Sequence, residues 1–478
     1  MSDTETKLRA NALALPSVIM QGITHIAPAA GLILSIQFIT SLAGVTSPLS
    51  YAIAFVIILT LGLSLTQLAK HLPSAGGYYT YVSRTVHPRA GFLTAWLYFL
   101  YDPTGAAINL AFMGFFIEQT LKAEYGVLFP WWIFFLLATV LITLLIYRGI
   151  EISANAMMLL GIAEVVIVVA LVVAGLLKPG DGGINFSSYL PGNAPSLSGL
   201  YLGVVFSIFS FTGFESVAPL AEESKDPRRN LPRAIIGAIL FMGVFYLFCS
   251  WAVLVGWGTN DLPALIQSPE NPVFLLGRRL WGGLWILVPL ALLNSVIAVS
   301  IACTNAATRV FYAMGRAEAL PRVLAKVHPK YQTPSNAIWL QTLLTLAVGL
   351  GLGFWIGPDQ EFFFMAVVVT LGMTFVYCAG NLGVFLFYRG DRRVEFSPLM
   401  HAIFPLVSTI ALIWVAFKSV IPLPAAPLKY APLLVLGWLL LGAVLLAVMR
   451  RAGRESWLLK AGQVAHEQDG APPHEEKM

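Results

Sequence analysis

The chain has 478 residues, of which 58% are hydrophobic and only 11% charged, with a mean hydropathy of +0.78. A soluble domain holds about a quarter charged residues, so this composition excludes an ordinary water-soluble fold and predicts an all-α polytopic membrane protein. The formal net charge of +5 is no nucleic-acid footprint, because in such a chain the position of the basic residues relative to the spans matters more than their sum.

Residues 1–14 are polar and no short apolar stretch with a small-residue cleavage site follows, so no removable signal peptide is expected and residues 15–42 form a true first span. That span carries QGITHIAPAAGL, Gln21 to Leu32, in which His25, Pro28 and Gly31 interrupt an apolar run. Proline removes a backbone donor and clashes with the preceding turn, so unwinding is predicted just before Pro28. Further apolar stretches follow near 49–69, 91–121, 129–147, 153–177, 199–221, 233–256, 284–314, 335–356, 361–387, 399–417 and 430–449, predicting twelve transmembrane helices with both termini on one side. The third carries Asp102 before Pro103, the fifth carries Glu164, and a bare carboxylate at such depth costs a few kcal/mol unless it is paired or wet. In the sixth, FSIFSFTGFESVAPL (Phe206 to Leu220) is broken at Thr212-Gly213 and then by Glu215. Irregular backbone survives inside a membrane only where it lines a cavity.

Of the 29 Lys and Arg, six (Lys122, Lys178, Arg278, Arg279, Lys418 and Lys429) fall in loops of the outer face if the N-terminus is inside; the other 23 fall on the cytoplasmic side. That asymmetry sets both termini in the cytoplasm. Cys249, Cys303 and Cys378 lie within predicted helices at no metal or disulfide spacing, and no chemistry is assigned to them. Residues 451–478 are polar, with Pro, Gly and Glu, and are expected to be a disordered cytoplasmic tail.

The third and eighth stretches are the long ones, and each is the third member of a run of five that opens with an interrupted helix. This order predicts an inverted repeat, 15–177 and 199–387, within a core of residues 15–390, with residues 398–450 as two peripheral helices. LPSAGGYYTYVSRTVHPRAGFLTAW (Leu72 to Trp96), SFTGFESVAPLAEESKDPRRNLPRAI (Ser210 to Ile235) and RVFYAMGRAEALPRVLAKVHPKYQTP (Arg309 to Pro334) resemble the signatures of the amino acid, polyamine and organocation transporter family. Within it the likeness is nearest to bacterial putrescine and related amine importers. The resemblance implies a LeuT-like 5+5 fold with discontinuous helices 1 and 6, in the bacterial inner membrane, without sodium or any cofactor, working by alternating access.

It also implies a site. A substrate's charged ends would meet the unwound backbone of Thr24, His25, Ile26, Ala27, Pro28, Ala29, Ala30 and Gly31, together with Phe211, Thr212, Gly213 and Thr304. Where amino acid carriers of the family tend to have a Gly-Ser-Gly-like triplet, this chain has Pro28, Ala29 and Ala30, and Pro28 offers no N–H to a carboxylate. That favours an amine, or an amino acid held differently. Asp102 would hold a substrate ammonium, the alternative being an Asp-Pro helix break that bonds its own backbone. Glu164 aligns with a lysine of sodium-independent relatives and is a candidate proton carrier, with Asn294, Ser295 and Ser300 as expected partners, or else a structural buried acid. Glu215 is the second candidate, or a helix-terminal acid favoured by the dipole.

Phe209 would close the outer side, with Tyr98 as a further gate. Glu222, Glu223, Arg84 and Arg228, with Arg316, would make inner ion pairs, or simply a solvated loop; Tyr78, Tyr79 and Tyr81 would join that seal. The leading function is secondary transport of a small amine or amino acid, by proton symport or by exchange. No phosphate-binding loop supports a primary pump. A channel fits poorly with occluding aromatics, and seven scattered histidines supply neither a catalytic nor a metal constellation. A ligand sensor on the same fold stays open, as does a monomeric or homodimeric state.

Overall fold

The computed structural model describes residues 7–421, 425–453 and 455–462; the rest of the tail expected to be disordered, and residues 1–6, lie outside the described residues. The described chain is helical, with two isolated backbone bridges and no strand. Nine of its helical stretches are long and apolar enough to cross a membrane, and Trp131–Tyr147 is a shorter apolar helix. The two remaining expected spans, the first and the third, are broken into pieces.

The first span consists of α1 (Leu15–Ile26), α2 (Pro28–Ile33) and α3 (Ile36–Ala43). Its main break falls where the proline rule places it: Ala27 takes a left-handed conformation, φ +59, between the last turn of α1 and Pro28 at the first position of α2. A second step at Leu34 and Ser35 separates α2 from α3. After α4 (Ser47–Ala69) and the short α5 (Tyr78–Thr85), the third span departs from expectation. Instead of one long helix it is α6 (Pro88–Tyr98), an irregular corner at Phe99, Leu100 and Tyr101, and α7 (Asp102–Tyr125). Asp102 therefore opens a helix rather than sitting part-way along one, and the cause is again a proline, since Pro103 cannot donate to the turn before it.

α8 (Trp131–Tyr147) and α9 (Ile150–Leu177) complete the first five predicted spans. The sixth is α10 (Leu197–Ser210), an irregular turn, and a 3₁₀ segment, Phe214–Leu220, in place of the α-helical second half that the sequence suggests. There follow α11 (Pro227–Trp257), two loop helices α12 (Leu262–Gln267) and α13 (Pro272–Trp281), α14 (Leu287–Arg316), α15 (Ser335–Ile356), α16 (Pro358–Arg389), α17 (Phe404–Lys418) and α18 (Ala431–Arg451).

Burial sorts these helices into a centre and a rim. α14 is buried along nearly its whole length and packs on α1, α2, α7 and α9, and α11 lies against α1 and α4. α17 and α18 turn Leu406, Ile410, Ile413, Leu433, Leu440 and Val444 outward, an apolar surface suited to lipid rather than water. α18 is fastened by Trp96 and Trp438, whose rings stack at 4.5 Å while each indole N–H donates to the other's backbone carbonyl, at 2.7 and 2.6 Å. Where α9 crosses α11, Gly175 faces Gly256 so closely that a Cβ on either would meet the other's Cα. Small residues at crossings replace the missing hydrophobic drive between helices in lipid.

The pair Arg278 and Arg279, anomalous in the charge count, has a local account. Arg278 pairs with Glu124 and Glu270 at 2.5 and 3.3 Å and lies over the Trp285 ring, and Arg279 donates to the carbonyl oxygens of Gly256 and Trp257 that end α11.

Candidate functional site

The breaks of the first and sixth spans lie side by side. Gly213, at φ +120, packs against His25 so that an added Cβ would stand 2.8 Å from the His25 carbonyl carbon. Tyr246 of α11 bridges the two, its hydroxyl lying 3.2 Å from the Ile26 carbonyl oxygen and 3.1 Å from that of Ser210. Gly31 leaves room for that ring, and a Cβ there would clash with the Tyr246 hydroxyl. Gly31→Ala is accordingly expected to lower stability by about 1–3 kcal/mol, the usual cost of overpacking. Adding Tyr246→Phe should restore part of it, as read by thermal unfolding of the purified protein.

At the first break every early donor of α2 is committed. Pro28 has none, Ala29 N–H donates to Glu164 Oε2 at 3.0 Å, Ala30 N–H to Ser295 Oγ at 3.2 Å, and Gly31 N–H to the Ala27 carbonyl at 2.7 Å. Ser295 is thus beside Glu164 as expected, but Asn294 donates to Leu160 O and Ser300 to Val296 O, each bonding elsewhere. At the second break Gly213 N–H donates to Glu215 Oε2 at 3.1 Å. A protein carboxylate thus caps each interruption.

A buried polar cluster adjoins the second break. His25 Nε2 is 3.1 Å from Asp102 Oδ1, an ion-pair distance without hydrogen-bond geometry, 3.1 Å from the Tyr101 hydroxyl and 3.4 Å from Cys303 Sγ. Tyr98 donates to Asp102 Oδ2. Glu215 lies within electrostatic reach of both His25 and Asp102. Tyr377 stacks on Phe214 at 6.0 Å and meets Tyr78 at 5.9 Å. His25 Nδ1, Asp102 Oδ1 and, at the first break, Glu164 Oε1 are buried without a hydrogen-bond partner, while Glu215 and Tyr377 lie within hydrogen-bonding reach of each other. Buried polar atoms without a partner are rare in a folded interior. A small crevice lined by Gly76, Tyr78, Tyr79, Tyr98, Glu215 and Pro219 adjoins it.

Among the residues expected at the site, His25, Asp102, Tyr98, Gly213 and Glu215 come together. Thr304 does not: it lines a separate crevice with Thr139, Thr143, Gln341 and Thr345, and its helix neighbour Cys303 points at His25 instead. Phe211 is fully buried against Phe55 and Tyr246, Thr24 turns to α9 with its hydroxyl bonded to Met20 O, and Thr212 donates to Phe209 O. Phe209 is half-buried beside the second break. Cys303, Tyr246 and Tyr377 carry no sequence signal beyond lying in apolar helices, and Tyr101 none beyond lying in an apolar run. His25, Asp102 and Cys303 present donor atoms within 4.8 Å of one another, the metal-compatible trio among the described residues.

At one end of the bundle the expected charges pair, Arg316 as anticipated and Arg309 in addition. Glu222 takes Arg316 at 2.7 Å and also accepts from Ala75 N–H, and Glu223 takes Arg309 through two bonds at 2.8 and 3.0 Å, both side chains 0% exposed. Arg84 and Arg228 are exposed and stand outside these pairs. Nearby, Leu13 and the segment after the 3₁₀ turn form a short backbone ladder, Leu13 N–H to Glu223 O and Lys225 N–H to Leu13 O, each 2.9 Å.

Residues 17–449 match the amino acid permease family model. The chain belongs to that family. This permease is 28% identical to the low-affinity putrescine importer PlaP of Escherichia coli over 71% of its own length and 75% of the importer's. It is also 28% identical to the branched-chain amino acid permease BcaP of Bacillus subtilis, over 64% and 68% of the two chains. Across 51% of the permease and 56% of the relative it is 30% identical to the L-methionine/branched-chain amino acid exporter YjeH of Escherichia coli. The family makes it a membrane transporter and not an enzyme.

Proposed function

We propose that this permease is a secondary transporter that moves a small amine or amino acid across the cytoplasmic membrane of a bacterium by alternating access. Its twelve spans form a LeuT-like 5+5 inverted repeat, with both termini in the cytoplasm. The observation that carries the reading is the pair of buried carboxylates, Asp102 and Glu215, within electrostatic reach of each other where the two broken spans meet. An ammonium group satisfies such carboxylates, and the faces of Tyr98, Tyr101 and Tyr377 suit a cation. Opening of the Glu222–Arg316 and Glu223–Arg309 pairs would give access from the inner face, and Phe209 would close the outer one.

Transport would be sodium-independent and proton-coupled, with Glu164 and Glu215 as proton carriers and His25, within electrostatic reach of Glu215, as a third titratable group. In proteoliposomes, labelled putrescine or leucine is expected to accumulate under an inward acid gradient and to be indifferent to sodium. Binding of any of a panel of amines and amino acids without uptake would leave a sensor in place of a transporter. An exchanger is the second reading, favoured by the likeness to an amino acid exporter, and uptake that requires preloaded substrate would select it.

A further inference from the structure

We propose that Glu164 sets the substrate class: its carboxylate stands where a ligand's α-carboxylate would have to dock, so the site takes amines that lack one. The inference rests on the transporter reading above and narrows it. A carboxylate held at a broken helix needs free backbone N–H groups. Here Ala29 N–H goes to Glu164, Ala30 N–H to Ser295, Gly31 N–H to Ala27, and Pro28 has none. The second break repeats the arrangement, with Gly213 N–H given to Glu215.

Glu164 is itself fully buried, and its second oxygen points into the interior without a partner. The committed amide does not depend on whether Glu164 is ionised, since an oxygen accepts the Ala29 N–H in either form. When Glu164 is ionised, a ligand carboxylate would also meet its like charge. The guanidinium of Arg309 on α14 offers no relief, being spent on Glu223.

The test uses matched ligands that differ by one carboxylate: putrescine against ornithine, cadaverine against lysine, and isoamylamine against leucine. Binding is read by thermal shift on the full purified chain and by uptake in proteoliposomes. In the wild type the amine of the preferred pair is expected to bind about 100-fold more tightly than its amino acid. Glu164→Ala, which frees the Ala29 donor, should cut that ratio at least about tenfold by improving the amino acid. Glu164→Gln, which keeps an acceptor oxygen, should hold the ratio closer to the wild type than Glu164→Ala does. A wild type that binds the amino acid as well as its amine overturns the inference while leaving the transporter reading intact, and needs no variant to fold. An unchanged ratio in a folded Glu164→Ala overturns it too. A wild type that binds neither member of any pair overturns both readings.

Discussion

Asp102→Asn is expected to weaken the binding of amine ligands by about 100-fold, because truncating one partner of a buried charge pair costs on the order of 2–5 kcal/mol. Asn keeps the size of the side chain, can still accept from Tyr98, and can still open α7, so folding should survive. What it loses is the charge, and an oxygen that faces His25 and has no hydrogen-bond partner in the protein. Titration of the purified variant by thermal shift reads the effect directly. Equal affinity in the two proteins would remove Asp102 from the ligand's seat and leave the interpretation of an acid that merely starts a helix.

Arg309→Met should destabilise the permease by about 3–5 kcal/mol, since it strands Glu223 as a buried, uncompensated charge. Both side chains are 0% exposed, and Arg309 also reaches Thr308 and the Asn305 carbonyl, so the pair is knitted into α14 rather than laid on the surface. The double variant Glu223→Leu with Arg309→Met should recover most of that loss, because apolar groups of similar volume often replace a buried pair at little cost. Melting temperatures of the three proteins decide it. A single variant as stable as the wild type would mean that water reaches the pair. The neighbouring Glu222–Arg316 bridge is more open to solvent, at 12% and 18% exposure, and its loss should cost less.

The breaks of the first and sixth spans were legible because each contains a residue that cannot continue a helix quietly, Pro28 in one and Gly213 in the other. The third break carries the same kind of signal in Pro103, yet the apolar run on either side of it is long enough to pass for one span. The helical period explains the exchange of Thr304 for Cys303: neighbours on a helix point about 100° apart, so an error of one residue turns the side chain to another crevice. Ion-pair partners were harder still. Arg316 is among the partners expected from sequence and does pair with Glu222, whereas Arg309 is not among them: the packing of α14 against the 3₁₀ segment brings it to Glu223 from far along the chain, past the nearer Arg228. For Glu164, side-chain partners on α14 were expected, whereas one of its ligands is a main-chain amide exposed only because Ala27 turns left-handed.

The ladder between Leu13 and the stretch from Glu223 to Lys225 constrains how this protein can move. Two main-chain bonds of 2.9 Å tie the residue just before α1 to the stretch just after the 3₁₀ segment, so hinging the two half-spans separately costs about 1–3 kcal/mol. A rearrangement that kept both bonds would carry the two half-spans together, as one lever with its two helix breaks, at Ala27 and Gly213, acting as a single degree of freedom.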